Sequence, residues 1–482
     1  MRIDRRMLLQ RSALLLAGSA LPSPTPAVAK AGSRALPSFY EEIEKRTFRW
    51  FWDTVDRKNG LVPDRWPTPS FSSIASVGFA LPAYAVGVDR GWCTRTAARD
   101  LTLTTLRFFW NAPQGPGGRG ASGHKGFFYH FLDMETGARF ANVELSSVDS
   151  TILFMGVLFA GQYYDRADPA EREIRRLSQA IFDRADWNFF RSDGRAALSM
   201  GWHPDTGLIP ASWIGFNEGM FVNILALGSS THAAPSNLWQ QWTSRYAEYW
   251  RGEGPTRRLA FAPLFGSQYS QLFVDFRGIR DATMRQAGFD YFENSRRETY
   301  AHRAYCTVNP MQWQGYSSTI WGLSACDGPG DFPLPYRGGT RAFHGYGARG
   351  PLGEPDGLDD GTIAPTAALG SLPFAPEIVI PCVQALLKQP GLFDRYGFHD
   401  SFNPSFTYSD VKVRTGTIHP KTGWIARDYL GIDQGPILLQ AANYRSEFVW
   451  RYMRRVPEIR RGLSRAGFTG GWLRISERAR SG

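Results

Sequence analysis

The stretch NVELSSVDSTILFMGVLFAGQYYD (142–165) reads as an acidic mouth followed by a buried helix. Ser146 and Ser147 can cap the orphan N–H groups where a helix begins, and Asp149 falls in the first turn, where the helix dipole favours negative charge. From Ile152 onward, Ile152, Leu153, Phe154, Met155, Val157, Leu158 and Phe159 leave almost no polar face, as expected of a helix inside a large core. Two carboxylates, Glu144 and Asp149, therefore stand at the end of a rigid element, where a site can be held in fixed geometry. The plainer reading makes Asp149 a capping acid and Glu144 a loop charge.

The same layout recurs at GFNEGMFVNILAL (215–227), a second greasy helix with a carboxylate, Glu218, at its start. Around these two, near-helical apolar spacing predicts a helix over 36–56 that ends near Asn59-Gly60, and further helices over 74–88 and 94–109. Residues 61–73 are Pro-rich and extended and carry Asp64, Arg65 and Trp66; 111–126 is a Gly-rich loop, and 127–140 a short hairpin turning at Thr136-Gly137. Residues 169–182 are amphipathic, and 201–214 reads as a loop or hairpin holding Trp202, His203 and Trp213. Helices over 239–250, 284–300, 364–372, 376–387 and 435–450 complete the set. The Gly/Pro-rich segment 327–361 is too long for an ordinary connection and reads as functional. About a dozen helices without a linker-like stretch imply an all-α closed ring of helix pairs, one domain over 30–482, with long loops gathered into a cleft at one end.

The chain opens with Arg5-Arg6, an apolar run over 12–21 and Ala27-Val28-Ala29, which reads as an export signal of the twin-arginine type over 1–29. The run is about half the ~20 residues a spanning helix needs, so the mature protein is expected to be soluble, periplasmic or secreted. Removing Arg2, Asp4, Arg5, Arg6 and Arg11 lowers the net charge from +11 to +8, with no basic block of the kind that tracks nucleic acid. Cys93, Cys306, Cys326 and Cys382 lack metal-type spacing, and Cys306 with Cys326 is the pair an exported chain could oxidise. The 16 Trp, 19 Tyr and 33 Phe suit either an aromatic-rich core or a carbohydrate cleft, where sugar C–H faces pack on rings and hydroxyls bond a polar rim.

Acidic residues recur at loop–helix junctions: Glu144, Asp149, Glu218, Asp359, Asp360, Asp400, Asp428 and Asp433. Glycoside hydrolysis needs two carboxyl groups across the scissile bond, one protonated and one ionised. Glu218, between Phe216 and Met220-Phe221, is the candidate acid, because an apolar setting raises its pKa; otherwise it is a dipole-favoured first-turn residue. GxSxG, HExxH, P-loop and Rossmann patterns are absent, and the eight histidines, His203, His399 and His419 among them, suggest no zinc site.

RTFRWFWD with GLVPDR, SIASVGFAL, ELSSVDSTILFMGVLFA, GFNEGM, DDGTIAPTAALGSLPFAPE, YGFHDSFNP and RDYLGIDQGPILLQAANYR together resemble the bacterial glucoamylase-like domain, and within it glycoside hydrolase family 144, over about 39–450. The resemblance implies an (α/α)6 barrel, no metal and no cofactor. It also implies hydrolysis of linear β-1,2-glucan to sophoro-oligosaccharides with inversion. Carried over, its acidic positions fall on Glu144, Asp149, Glu218 and Asp400. Glu218 is the implied general acid; Asp400 is the first choice for the base, Asp149 the second and Asp433 the third, with activation of water through a substrate hydroxyl as a related fungal family suggests. Departures are Gly219, where Ala is common, and His399. Glu144, Asp64, Arg65, Trp66, Trp202, His203, Trp213, Asn217, Asp433 and Tyr429 are the expected substrate contacts, in a monomer whose partner is a polysaccharide or oligosaccharide. A transglycosylase, an exo-acting sophorose-releasing enzyme and a non-catalytic glucan-binding protein are the rivals. Because Glu144 and Asp149 lie only five residues apart at one helix start, 142–165 reads as one wall of the cleft that grips the sugar, with the proton donor supplied by the second helix.

Overall fold

Fifteen α-helices are found among the residues described by the computed structural model, 34–191 and 196–474. The export-signal reading of 1–29 lies outside them. In chain order the helices are α1 Phe39–Thr54, α2 Ile74–Asp89, α3 Arg95–Asn111, α4 Ser147–Tyr163, α5 Pro169–Asp183, α6 Met220–Gly228, α7 Leu238–Thr243 and α8 Phe265–Phe273. They continue with α9 Ala282–Ala287, α10 Tyr291–Val308, α11 Pro365–Leu369, α12 Pro376–Leu386, α13 Gly431–Ser446, α14 Phe448–Met453 and α15 Pro457–Arg465. The chain is mostly helical, and its strands are short pieces joined in twos and threes.

Helices α2, α4 and α6 are apolar on every side and buried along nearly their whole length, whereas α5 and α15 are amphipathic and cover them from outside. α2 packs most extensively on α4 and also on α13, α5 lies on α4 and α3, and α15 lies on α6. The α2–α4 contact is backbone on backbone: a Cβ on Gly156 would stand 2.1 Å from the carbonyl oxygen of Gly78, so only glycine permits this approach.

Several expected elements differ. The 239–250 helix is α7 followed by a 3-10 turn, Tyr246–Glu248, because Trp250–Arg251 leaves to pair with Arg258–Leu259. The 284–300 helix is two, broken where Gly288 takes φ +86° and Asp290 caps α10 through the Glu293 N–H. The 435–450 helix starts earlier, at Gly431, and breaks at Glu447, φ +53°. α8 was not expected because it is rich in buried polar groups: Gln268 donates to Ser371 Oγ (2.7 Å) and Gln271 to the Tyr291 carbonyl (2.8 Å). Segment 327–361 holds a hairpin, Phe332–Tyr336 with Gly339–Phe343, and Gly347–Ala348 pairs back onto Ala325–Cys326. The Cys306–Cys326 pairing is not found. All four thiols are free; Cys326 sits against Arg349 Nη1 (3.5 Å), Cys382 donates to the Trp321 carbonyl (3.6 Å) and Cys306 accepts from the backbone N–H of Gly322. Among the described residues no helix is long and apolar enough to cross a membrane.

Candidate active site

Three inner helices begin directly from short strands: Ser72–Ser73 runs into α2, Leu145–Ser146 into α4, and Tyr429–Leu430 into α13. Each strand pairs across a chain crossing, Ser72–Ser73 with Phe131–Leu132, Leu145–Ser146 with Gly201–Trp202, and Tyr429–Leu430 with Arg65–Trp66. These pairings gather helix N-termini at one end of the molecule. A cleft of about 930 Å³ opens there, lined by Asp64, Arg65, Phe71, His130, Phe131, Asp327, Tyr346, Arg414, Arg427 and Asp428.

On one wall His130 and Phe131 line the cleft, and behind His130 stand α4 and, within electrostatic reach of its Asp149, the turn before α6. Ser146 caps α4, accepting from the Asp149 N–H (3.1 Å) while its hydroxyl donates to Asp149 Oδ2 (2.5 Å). His130 stands between two carboxylates, with Nδ1 2.8 Å from Glu144 and Nε2 3.5 Å from Asp149. Burial opposes a charge on this ring, but the Asp149 and Glu144 carboxylates prevail and push its pKa up to about 9. Burial likewise works against the Glu144 charge, yet the His130 hydrogen bond holds Glu144 below the usual carboxylate range.

Glu218 lies in the turn just before α6, not in the helix itself. Its carbonyl accepts from Ser270 Oγ of α8 (3.2 Å), and the same hydroxyl accepts the Phe221 N–H (3.2 Å). Asn217 Oδ1 accepts the Gly219 N–H (2.9 Å), while Trp213 donates to Ser147 Oγ (2.8 Å) and lays its ring where a Gly219 Cβ would come within 2.5 Å. Held in this way, Glu218 Oε2 is enclosed with no partner among the described residues. Burial, reinforced by the Asp149 charge, pushes its pKa up to about 7.

The other wall is more acidic. Arg65 binds Asp327 (2.7 Å) and Asp64 (3.1 Å) and approaches Asp428 (3.8 Å). Asp400 Oδ2 accepts the Asp327 N–H (2.7 Å). Asp400 Oδ1 and Asp433 Oδ2 find no N–H or hydroxyl donor among the described residues. The two carboxyls hydrogen-bond each other, which requires a proton between them; burial first, then charge repulsion (from Asp327 on Asp400, from Asp400 on Asp433), raises both pKa values. The enclosed Tyr269 phenol, donating to the Ile432 carbonyl (3.4 Å), is within electrostatic reach of Asp433, Glu218 and Asp149 and so joins the two walls. His130, Glu144 and Asp149 converge closely enough to ligate an ion, although a cationic His130 already balances that pair.

The family model described as putative glucoamylase matches residues 210–457, which carry Glu218, Asp400 and Asp433. The chain belongs to this glucoamylase-like family, glycoside hydrolase family 144. A putative glucoamylase from Bacteroides uniformis is 29% identical, with a TM-score of 0.75 over 91% of this chain and 100% of that one. The endo-β-1,2-glucanase from Chitinophaga pinensis, solved with sophorotriose and glucose, is 26% identical, with a TM-score of 0.76 over 91% and 100%. An exo β-1,2-glucooligosaccharide sophorohydrolase (non-reducing end) from Parabacteroides distasonis is 24% identical over 460 residues, 88% of this chain; the chain spans 57% of that relative's length.

Within this glucoamylase-like site, the expected contacts separate into groups. Asp64 and Arg65 line the cleft. Trp66 and Tyr429 do not: paired across the strands and on the opposite side of the pleat from Arg65, they pack on each other (6.2 Å) and both on Tyr396 (5.0 and 5.7 Å). Trp202 packs on His124 (5.2 Å) and Phe189 (5.4 Å), and His203 meets Arg139 (3.4 Å). Trp213 and Asn217 brace the Glu218 turn. Asp359 accepts from Tyr305 and Tyr316 (both 2.7 Å), and Asp360 is paired with the fully buried Arg349 (2.8 Å), so both serve the fold. His130, Asp327, Tyr269 and Tyr346 were not among the expected site residues. For His130 the one available signal was a polar residue inside the aromatic run FFYHF.

Proposed function

We propose that the chain hydrolyses β-1,2-glucosidic linkages in linear β-1,2-glucan, endo-acting and with inversion, in an (α/α)6 toroid formed by residues 30–482. The observation that carries this reading is the enclosed Glu218 carboxyl, whose Oε2 has no partner among the described residues and which keeps its proton near neutral pH. Glu218 donates to the leaving glycosidic oxygen as the bond to the anomeric carbon breaks. The Asp400–Asp433 pair, sharing one proton, takes the proton of the attacking water, directly or through a substrate hydroxyl, with Asp400 as the base. Glu144, Asp149 and Asp64, set by His130 and Arg65, accept hydrogen bonds from sugar hydroxyls, and Phe71 with Phe131 (4.1 Å between rings) offers an apolar surface to a sugar face. The names of the Chitinophaga and Parabacteroides relatives support the linkage. The second of them favours an exo alternative that releases sophorose. The sequence of residues 1–29 supports placing the enzyme in the periplasm or outside the cell.

The test is incubation with linear β-1,2-glucan, laminarin, cellulose and starch. Sugar is expected from the first alone, as a ladder of oligosaccharides early in the time course. Release from starch alone refutes the linkage, sophorose alone from the outset refutes endo action, and products longer than the substrate reveal transfer.

A further inference from the structure

Away from the cleft, α10 and the loop 351–357 enclose a second group of ionisable side chains. Glu298 and His302, four residues apart, lie on one face of α10, and both are fully buried. Glu354 comes from the loop, which closes through the Gly350 N–H to the Leu358 carbonyl (2.8 Å) and rests on the chain near Ala262. Arg258 donates to Glu298 Oε2 (2.5 Å) and to Glu354 Oε1. The remaining oxygens, Glu298 Oε1 and Glu354 Oε2, have no donor among the described residues. Neither ring nitrogen of His302 meets a partner of standard geometry; the Ala262 backbone offers a marginal contact. One ligand atom from each of the three residues lies within 4.8 Å of the others. Unpartnered buried polar atoms are costly singly; here they face one another.

We propose that Glu298, His302 and Glu354 form a structural divalent-metal site that fastens the 351–357 loop to α10. One imidazole nitrogen and two carboxylate oxygens suit Zn²⁺, with water or a backbone oxygen as fourth ligand, rather than Ca²⁺, which collects six to eight oxygens. Arg258 then has the outer-shell role, orienting both carboxylates through their other oxygens. Arg258 also lines a cavity of about 610 Å³ together with Glu293, Arg297 and Tyr300. We assign this ion a structural role only, so the metal-free reaction that the family resemblance implies is unaffected.

The other occupant of the space is a single proton shared by the two glutamates, and the two readings predict opposite results. The full protein is stripped with chelator, titrated with ZnCl₂, and followed by metal analysis and thermal unfolding. With the metal site, wild type retains near-stoichiometric zinc and Tm rises by roughly 2 °C or more at saturation. Glu298→Gln and His302→Gln then lose both effects. If wild type retains no zinc and its Tm does not move, or if both variants retain zinc as well as wild type does, the proposal is overturned. Should the variants fail to fold, X-ray absorption on the zinc-loaded wild type decides: one imidazole and carboxylate oxygens at about 2.0–2.2 Å support the site, and any other ligand set overturns it.

Discussion

Replacing Glu218 with Gln should stop catalysis and stabilise the protein, with a stabilisation that depends on pH. In the fold this carboxyl titrates near 7, against 4.5 for an ordinary glutamate, because it is enclosed and faces Asp149. At pH 6 about nine-tenths of it holds a proton, whereas an ordinary glutamate would be about 3% protonated. A folded pKa above the unfolded one means that the unfolded chain releases the proton first. Below pH 4.5 both states are protonated and nothing is lost. Between 4.5 and 7 stability falls as pH rises, and above 7 the loss is constant. At 1.36 kcal/mol per pH unit the loss approaches about 3 kcal/mol, an upper bound because the residue keeps partial access to solvent. Gln mimics the protonated acid and removes the loss. Urea titrations at pH 4 and pH 8 should therefore show variant and wild type equal at the lower pH and the variant more stable at the higher, by roughly 1–3 kcal/mol. In a chain of 482 residues that is only about 1–3 °C in Tm, so denaturant is the better probe. Wild-type kcat/KM should decline through pH 7 as the acid is lost. Equal stability at pH 8, or a variant that keeps more than a few per cent of wild-type rate, would falsify the assignment of the acid.

Asp400→Asn should lower kcat by about 10²–10⁴ while leaving the fold at least as stable, since it removes one of two repelling buried carboxyls; initial rates with a urea titration check both, and a loss of stability without loss of rate refutes the role. Arg65→Gln leaves Asp64 and Asp327 without their cation and should cost about 3 kcal/mol as well as raising KM, measured by chemical unfolding and steady-state kinetics. Gly156→Ala pushes a methyl group against the Gly78 carbonyl and should destabilise by about 3 kcal/mol with no change in the pH profile of the fraction that folds.

The parts of the fold legible in the sequence are those decided by neighbours along the chain. α4 was readable because an unbroken apolar run follows a Ser cap, and the cap forms as read. α8 was not readable because its buried face is built from Ser267, Gln268, Ser270 and Gln271, and the partners of Gln268, Ser270 and Gln271 lie far away along the chain. In the site the same division holds. Asp64 and Arg65 line the cleft while Trp66 and Tyr429 lie on the other side of the pleat, because a strand sends alternate side chains to opposite faces and only the pairing of Arg65 with Leu430 shows which face is the cleft. The charge on His130 depends on Glu144 and Asp149, which follow 14 and 19 residues later, and no local pattern announces it.

The two motifs that looked like repeats of one layout do opposite things, and the difference lies in who binds the helix start. In ELSSVDS the acid is inside the first turn of α4: Asp149 takes the Ser146 hydroxyl and faces His130, so its negative charge is fully accommodated. In GFNEGM the acid precedes the helix, and the donors that would have stabilised its charge are taken by others. Asn217 accepts the Gly219 N–H and Ser270 accepts the Phe221 N–H. Among the described residues Glu218 Oε2 has no partner, and burial favours the neutral form against the pull of the residue's own backbone N–H. An acid that sits at a helix start without using it keeps its proton. With Asn217 and Ser270 holding those N–H groups, burial is left to decide the protonation of the donor, with the Asp149 charge adding to it.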